Sequence, residues 1–482
     1  MSPVSDASPD VIVVGGGAVG ENVADYAARG GLTAMIIESE LLGGECSYWA
    51  CMPSKALLRT GHAIAAVRRL PGTSASFDPL AVLARRDVIT HGWDDSGQVE
   101  WAEGAGITVR RGVARLVGPR TVRVDDEEIT ARCAVALCTG SVPVRPSVPG
   151  LDGVRIWTSR DATSAKEVPR RLGVLGGGVV GCELAQAFRR LGSAVILLHR
   201  GPRLVPALEP FAGDRVGAAL RAEGVDVRSA ALDGVAAAGD ALELSVAGET
   251  IPVDELLVAT GRRPNTADLG LDAVGLPPGE ALTVDDSGLV TGVAGEWLYA
   301  AGDVTGRAPL THQGKYDARI AGAAIAARAA GMPLDTAPWG EHAATADHAA
   351  VPQVVFTDPE VAAVGLTEAK ARDAGLDVRP VDLPIAVGGS TLQADGYDGA
   401  ARLVVDRSRE VLVGATFVGQ DVAEMIHAAT VAIVGEVPMS RLWHAVPAYP
   451  TISEVWLRLL STADGAVTGP SGRPRGGGAR PR

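Results

Sequence analysis

An α/β fold with two nucleotide-binding domains is predicted for this chain by two glycine signatures, each set between an aliphatic run and a helical one. In the first, Val11-Ile12-Val13-Val14 leads into Gly15-Gly16-Gly17-Ala18-Val19-Gly20. Gly15, Gly17 and Gly20 permit a tight turn and the close approach of a pyrophosphate to the N-terminus of the next helix. Glu38, at the end of the following apolar run Ala34-Met35-Ile36-Ile37, is placed to bind a ribose hydroxyl pair. The second signature, Val174-Leu175-Gly176-Gly177-Gly178-Val179-Val180-Gly181, precedes the helical run Cys182–Phe188 and supplies Gly176, Gly178 and Gly181 in the same roles. One such fingerprint is a weak signal, but two in one chain imply two dinucleotides.

A third observation ties them to redox chemistry. Cys46 and Cys51, in Gly43-Gly44-Glu45-Cys46-Ser47-Tyr48-Trp49-Ala50-Cys51-Met52-Pro53-Ser54-Lys55, are thiols five positions apart and can close a small, easily reduced ring. The Gly-free run Ala56-Leu57-Leu58-Arg59 reads as a helix, so both sulfurs are expected near its first turn, where unpaired amides and the positive dipole end favour a thiolate. Buried free cysteines or half a metal site are the alternatives. A zinc site wants a second Cys/His pair at ligand spacing, which the sequence lacks.

With these motifs the chain resembles the pyridine nucleotide-disulfide oxidoreductase family, which includes lipoamide dehydrogenase, glutathione reductase and mercuric reductase. The resemblance extends over roughly residues 10–460 and takes in Cys138-Thr139-Gly140-Ser141, Ala259-Thr260-Gly261-Arg262-Arg263-Pro264-Asn265, Ala300-Ala301-Gly302-Asp303 and Phe356-Thr357-Asp358-Pro359-Glu360. It implies two Rossmann-like nucleotide-binding domains plus an α+β C-terminal dimerisation domain, hence a homodimer. It also implies that the first fingerprint binds FAD and the second NAD(P)H, with Gly140 and Gly261 in matching turns and Asp303 on the FAD ribityl chain. By the same resemblance Cys51 is the flavin-proximal thiolate, and Cys46 the outer thiol that meets substrate. Lys55 and Glu183 match an ion pair at the flavin edge; a surface lysine and an ordinary helix glutamate are the plainer readings.

The domain order follows. Residues 1–150 are expected to form the FAD-binding domain, with the strand Cys133–Leu137 before the Thr139-Gly140 turn, and residues 151–265 the inserted NAD(P)H-binding domain. Residues 266–345 return to the FAD-binding domain, where the strand Trp297–Ala301 delivers Asp303 and a helix begins near Thr311. Residues 346–462 form the dimerisation domain. The tail 463–482, rich in Gly, Pro and Arg, has too little apolar surface to fold.

Cofactor choice is read after the second fingerprint. The run Ala194–Leu198 ends in His199-Arg200, where an NADH-selective site normally places an acid. Arg200, with Arg203 behind it, suits a 2′-phosphate and favours NADPH, with NADH possible if both arginines face solvent. A departure from the family lies near the C-terminus, where lipoamide dehydrogenase and glutathione reductase carry a His-Pro pair with a Glu five residues after the His. Pro450 and Glu454 match, but Tyr449 stands in the histidine position. A phenol with a pKa of about 10 is a poor base at neutral pH, although it still donates a hydrogen bond. His444, five residues upstream, either substitutes as the base or is structural, and its offset favours the structural reading. Mercuric reductase also places a tyrosine there but adds a C-terminal cysteine pair, and this chain has no cysteine after Cys182. Tyr48 and Trp49 inside the cysteine loop either shape a pocket for a planar substrate or pack against the flavin domain.

Composition sets the boundaries. A chain of 482 residues is too long for one core and suits three or four domains. Its 47% hydrophobic and 21% charged residues are those of a soluble globular protein, and a net charge of −13 argues against a nucleic-acid partner. No apolar run spans a bilayer, and Met1–Pro9 has no secretory pattern. Five cysteines do not make a secreted disulfide framework, so a cytoplasmic setting is expected, with Cys133, Cys138 and Cys182 in the core. The function expected is an FAD-dependent oxidoreductase passing electrons from NAD(P)H through Cys46/Cys51 to a small disulfide. The alternatives are an NAD(P)H:quinone reductase of the same fold and a flavin-binding structural subunit or redox sensor.

Overall fold

Two fully parallel sheets, built alike, account for most of the architecture. In the first, the strands run in the order Leu298–Ala300, Ala134–Leu137, Val11–Val14, Ala34–Glu38 and Thr108–Arg111. In the second the order is Asp226–Ser229, Ala194–His199, Arg171–Leu175 and Glu255–Val258. Val11–Val14 and Ala134–Leu137 are buried at every position, as β-branched and aliphatic runs covered on both faces must be. Each sheet is accompanied by a three-stranded antiparallel meander, Ala114–Thr130 in the first case and Gly234–Val253 in the second. The computed structural model describes residues 8–463, so the tail expected from 463 onward lies outside them except for Ala463, the buried last residue of a helix.

The chain divides after Pro359 into two compact units. Helices of the first unit include α1 (Ala18–Arg29), α2 (Gly44–Tyr48), α3 (Cys51–Arg68), α4 (Pro79–Ile89), α5 (Ser96–Gly104), α6 (Ser159–Ser164), α7 (Val179–Leu191), α8 (Pro210–Ala222) and α9 (Thr311–Ala329). One face of the first sheet packs on α1 and α9, where Val23, Ala24 and Ala27 meet Ala318, Ala321 and Ile325. Small residues let these helices approach closely: a Cβ on Gly322 would lie 2.9 Å from the Val23 carbonyl oxygen. The other face is covered by Leu116, Val122, Leu269, Leu271 and Trp297.

The second unit is an antiparallel sheet of Glu360–Gly365, Val411–Gly419, Ala400–Asp406 and Val378–Pro384. Helices Ile426–Val434 and Val455–Ala463 accompany it, and Trp456 packs on Phe417 with ring centroids 5.6 Å apart. No helix of the described residues is long and apolar enough to cross a membrane.

Candidate functional site

Both glycine fingerprints form the strand-turn-helix their spacing predicts. Gly15 turns at φ +97°, and a Cβ there would lie 2.5 Å from the Cys138 carbonyl oxygen; one on Gly20 would lie 1.9 Å from the Gly15 oxygen. The second site repeats this geometry with Gly176 (φ +126°) against Ala259 and Gly181 against Gly176. Gly17 and Gly178 cap α1 and α7 without a side-chain hydrogen bond, which leaves first-turn amides for an anion. A phosphate-bearing ligand therefore fits both cradles.

Around the first cradle, Glu38 is buried at the strand end, its Oε2 accepting from Gly16 N at 2.6 Å and its Oε1 from Glu40 N at 2.7 Å. Asp303 lies in the turn after the strand Leu298–Ala300, and its carboxylate accepts from Ser141 Oγ at 2.6 Å. Gly140 turns at φ +70°, its carbonyl accepting from Asn265 N. Around the second, a cavity of roughly 470 Å³ is lined by Gly176, Gly177, Gly178, His199, Arg200, Arg203, Gly261 and Arg262 among others. Arg200 is exposed, whereas Arg203 is half-buried with Asp214 at 3.8 Å. The strand end carries His199 in place of an acid, and burial holds its imidazole below the usual range, which favours the neutral ring.

The two cysteines stand on different helices. Cys46 lies on the short α2 and Cys51 opens α3, because Trp49 and Ala50 leave helical geometry between them, and the Cys46 side chain hydrogen-bonds Cys51 beside the first turn of α3. The segment docks on the first fingerprint: Gly43 N donates to Gly16 O at 2.8 Å, and a Cβ on Gly44 would meet Gly17 Cα at 2.7 Å. Cys51 Sγ lies 3.3 Å from Thr311 Oγ1 at the start of α9. The Cys51 thiol is lowered to about 6, chiefly by its hydrogen bond with Cys46 and then by Thr311 and the Lys55 charge, against the opposing effect of burial. Cys46 moves the other way, well above the usual thiol range, through that same hydrogen bond and burial. The shared hydrogen bond therefore favours the thiolate on Cys51 and the thiol on Cys46.

Lys55, one turn beyond Cys51, donates to Glu183 Oε2 at 2.8 Å. The Glu183 side chain is only 3% exposed, and its Oε1 accepts from Phe356 N at 2.9 Å. The Lys55 ammonium also sits 4.9 Å from the centre of the Phe356 ring. Glu183 is therefore a fully engaged carboxylate, not an ordinary helix residue. Thr311 and Phe356 had no assigned role in the sequence, since their partners Cys51 and Glu183 are 260 and 173 positions away.

Tyr48 packs inward and donates to Gln98 Oε1 at 3.1 Å. Trp49 is half-buried beneath the Arg160 guanidinium, 3.8 Å from its ring centre, and its carbonyl accepts from Thr163 Oγ1. Cys138 and Cys182 are core residues as expected, but Cys133 is only half-buried: it precedes its strand and faces Asp10, 3.8 Å away.

In the second unit, Tyr449 is 77% exposed, and a Cβ on Gly388 would lie 3.2 Å from its hydroxyl and 3.4 Å from Glu454 Oε2. Glu454 accepts from Gly388 N at 3.1 Å and pairs with Arg458. His444 is exposed. Among the described residues no cluster of three or more His, Cys, Asp or Glu side chains is arranged to hold a metal ion.

Comparison with known proteins agrees with this geometry. Residues 9–330 match the model for pyridine nucleotide-disulphide oxidoreductase, and residues 351–459 match that family's dimerisation domain. Dihydrolipoyl dehydrogenase of Bacillus subtilis is 31% identical over 95% of this chain and 97% of its own length. Mercuric reductase of Staphylococcus aureus is 29% identical over 93% of this chain and 81% of its own. Among solved structures, the HOCl-induced flavoprotein disulfide reductase RclA from Escherichia coli superposes with a TM-score of 0.80 at 27% identity, covering 94% of this chain and 99% of that one.

Proposed function

The chain belongs to the pyridine nucleotide-disulphide oxidoreductase family, FAD-dependent enzymes that draw electrons from NAD(P)H, and from that premise we propose that it reduces a small disulfide at the expense of NADPH. The observation that carries this reading is the placement of Cys51, whose Sγ lies 3.3 Å from Thr311 Oγ1 and within hydrogen-bond reach of Cys46, one helical turn from the Lys55–Glu183 ion pair. When bound, FAD supplies the two-electron relay between the nicotinamide and the cysteines. Gly15, Gly17, Gly20 and Glu38 would hold its phosphates and ribose, and Asp303 its ribityl chain. Gly176, Gly178 and Gly181 would hold the NADPH phosphates, with Arg200 and Arg203 at the 2′-phosphate.

The thiol chemistry falls to this chain's own residues. Cys46 loses its proton and attacks the substrate disulfide, forming a mixed disulfide and releasing the first substrate thiol. Cys51, already a thiolate at neutral pH, then attacks the Cys46 sulfur, closing the Cys46–Cys51 ring and releasing the second thiol. Thr311 and Lys55, the latter held by Glu183, stabilise the charge on Cys51; of the two protons the released thiolates take up, one is that lost by Cys46 and the other comes from solvent. The raised Cys46 makes its deprotonation the demanding event, and a phenol at position 449 is poorly suited to receive that proton.

Tyr449 is the specific observation favouring a second reading, an NAD(P)H:quinone reductase, since a quinone takes electrons without a thiol base. The mercuric reductases among the relatives lend less to this chain, whose five cysteines all lie at or before Cys182. Rates with lipoamide, glutathione disulfide and a benzoquinone, in wild type, Cys46→Ser and Tyr449→His, test both readings. We expect Cys46→Ser to abolish disulfide turnover and spare quinone turnover. Tyr449→His should raise disulfide turnover with a new dependence near neutral pH, where imidazole titrates. Disulfide turnover that survives Cys46→Ser would overturn the proposal.

A further inference from the structure

Glu45, the residue before Cys46, is held by two arginines from the half of the unit that carries the second nucleotide cradle. Its Oε1 lies 3.2 Å from Arg160 Nε, and its Oε2 accepts from Arg262 at 2.9 Å. Arg262 lines the second nucleotide cavity, and Arg160 follows Ser159, which lines it too. Arg262 also donates to Ser141 Oγ at 2.8 Å, and Ser141 donates to Asp303. One guanidinium therefore touches the nucleotide cavity, the partner of Asp303 and the redox helix. Arg160 adds a second connection by stacking on Trp49, between the two cysteines.

The helix these arginines hold is not stable by itself. α2 has five residues, no side-chain cap, and Gly43 and Gly44 at positive φ on its entry. Its inner side is fixed by Tyr48, whose carbonyl accepts from Trp93 Nε1. Its charged tether is Glu45 alone. The three charged side chains of that tether are each about one-third exposed, so solvent screens the pairs and an anion of higher charge displaces them.

We propose that Glu45 is a positioning residue coupling the second nucleotide pocket to the redox helix: an anionic nicotinamide nucleotide entering beside Arg262 competes with the Glu45 carboxylate for the arginines, loosens α2 and exposes Cys46. This rests on the reading of that pocket as the nicotinamide nucleotide site. Through it, the outer thiol becomes reactive when electrons are at hand and stays covered when they are not.

The test uses the FAD-loaded protein reduced with a phosphine, so that both cysteines are thiols before any nucleotide is added. Alkylation of Cys46 by iodoacetamide is followed by mass spectrometry without nucleotide and with the redox-inert nucleotides 2′-phospho-ADP-ribose and ADP-ribose, which keep the anionic groups but cannot reoxidise the thiols, and binding of each nucleotide is measured by calorimetry on the same samples. In wild type, the nucleotide that binds should accelerate Cys46 alkylation about fivefold. In Glu45→Gln, which keeps the side-chain volume, the nucleotide should still bind, but alkylation should already be fast and should not respond. Arg160→Met should give a partial response, since Arg262 remains. A wild type that binds nucleotide without any change in alkylation, or a Glu45→Gln protein that responds as wild type does, overturns the coupling. A wild type that binds neither nucleotide overturns the assignment of the pocket instead, and the coupling with it.

Discussion

At the scale of single residues, the proposed function rests on an asymmetry between two thiols whose surroundings differ. Cys51 is lowered to about 6 by groups from three places: Cys46 on α2, Thr311 on α9 and Lys55 on its own helix. A thiolate present above that value is protonated below it, so the long-wavelength thiolate-to-flavin absorbance of the two-electron-reduced enzyme should fade as pH falls through about 6. Lys55→Met removes a favourable charge and should move this midpoint upward by about one unit, worth about 1.4 kcal/mol. A spectrophotometric pH titration of both proteins measures it, and an unshifted midpoint would remove Lys55 from this role. Arg200 is tested at the same scale. Its exposure makes it an adaptable phosphate ligand, and Arg200→Glu should weaken NADPH about ten- to a hundredfold while changing NADH little. Equal losses for the two nucleotides, measured by calorimetry, would show that it does not discriminate.

At the scale of elements, the two cradles are separable. A methyl group on Gly20 or Gly181 would stand 1.9 Å from a carbonyl oxygen of its own glycine turn, a backbone atom that no side-chain rotation can move aside. Gly181→Ala should therefore lower NADPH affinity by more than about tenfold and leave the protein yellow, whereas Gly20→Ala should cost FAD retention first. Flavin content and nucleotide affinity, measured on each variant, check the pair. These turns were legible in the sequence because local sterics dictate them: an aliphatic run, three glycines at fixed spacing and a helical run admit few backbone paths. The separation of Cys46 and Cys51 onto two helices was not legible, because it depends on Gly43 and Gly44 docking against Gly17, some 26 residues earlier. Nor was the orientation of Glu183, which takes its second hydrogen bond from Phe356. Spacing along the chain carries information about a turn but none about a partner brought near by the fold of the whole unit.

At the scale of the whole molecule, the duplicated sheet-and-meander plan places two nucleotide cradles and one thiol pair on a single chain, and the C-terminal segment matches a dimerisation domain. That match supports a homodimer, so light scattering should return twice the 49.3 kDa of one chain. The central claim is that electrons delivered by NADPH reach the Cys46/Cys51 pair and do not stop at the flavin. The most direct measurement is anaerobic addition of one equivalent of NADPH to the oxidised, FAD-loaded enzyme, followed by iodoacetamide and peptide mass spectrometry. The account predicts that Cys46 is alkylated only after NADPH is added, with Cys133, Cys138 and Cys182 unchanged by it. NADPH oxidation that leaves Cys46 as inaccessible to the reagent as in the oxidised enzyme would contradict it.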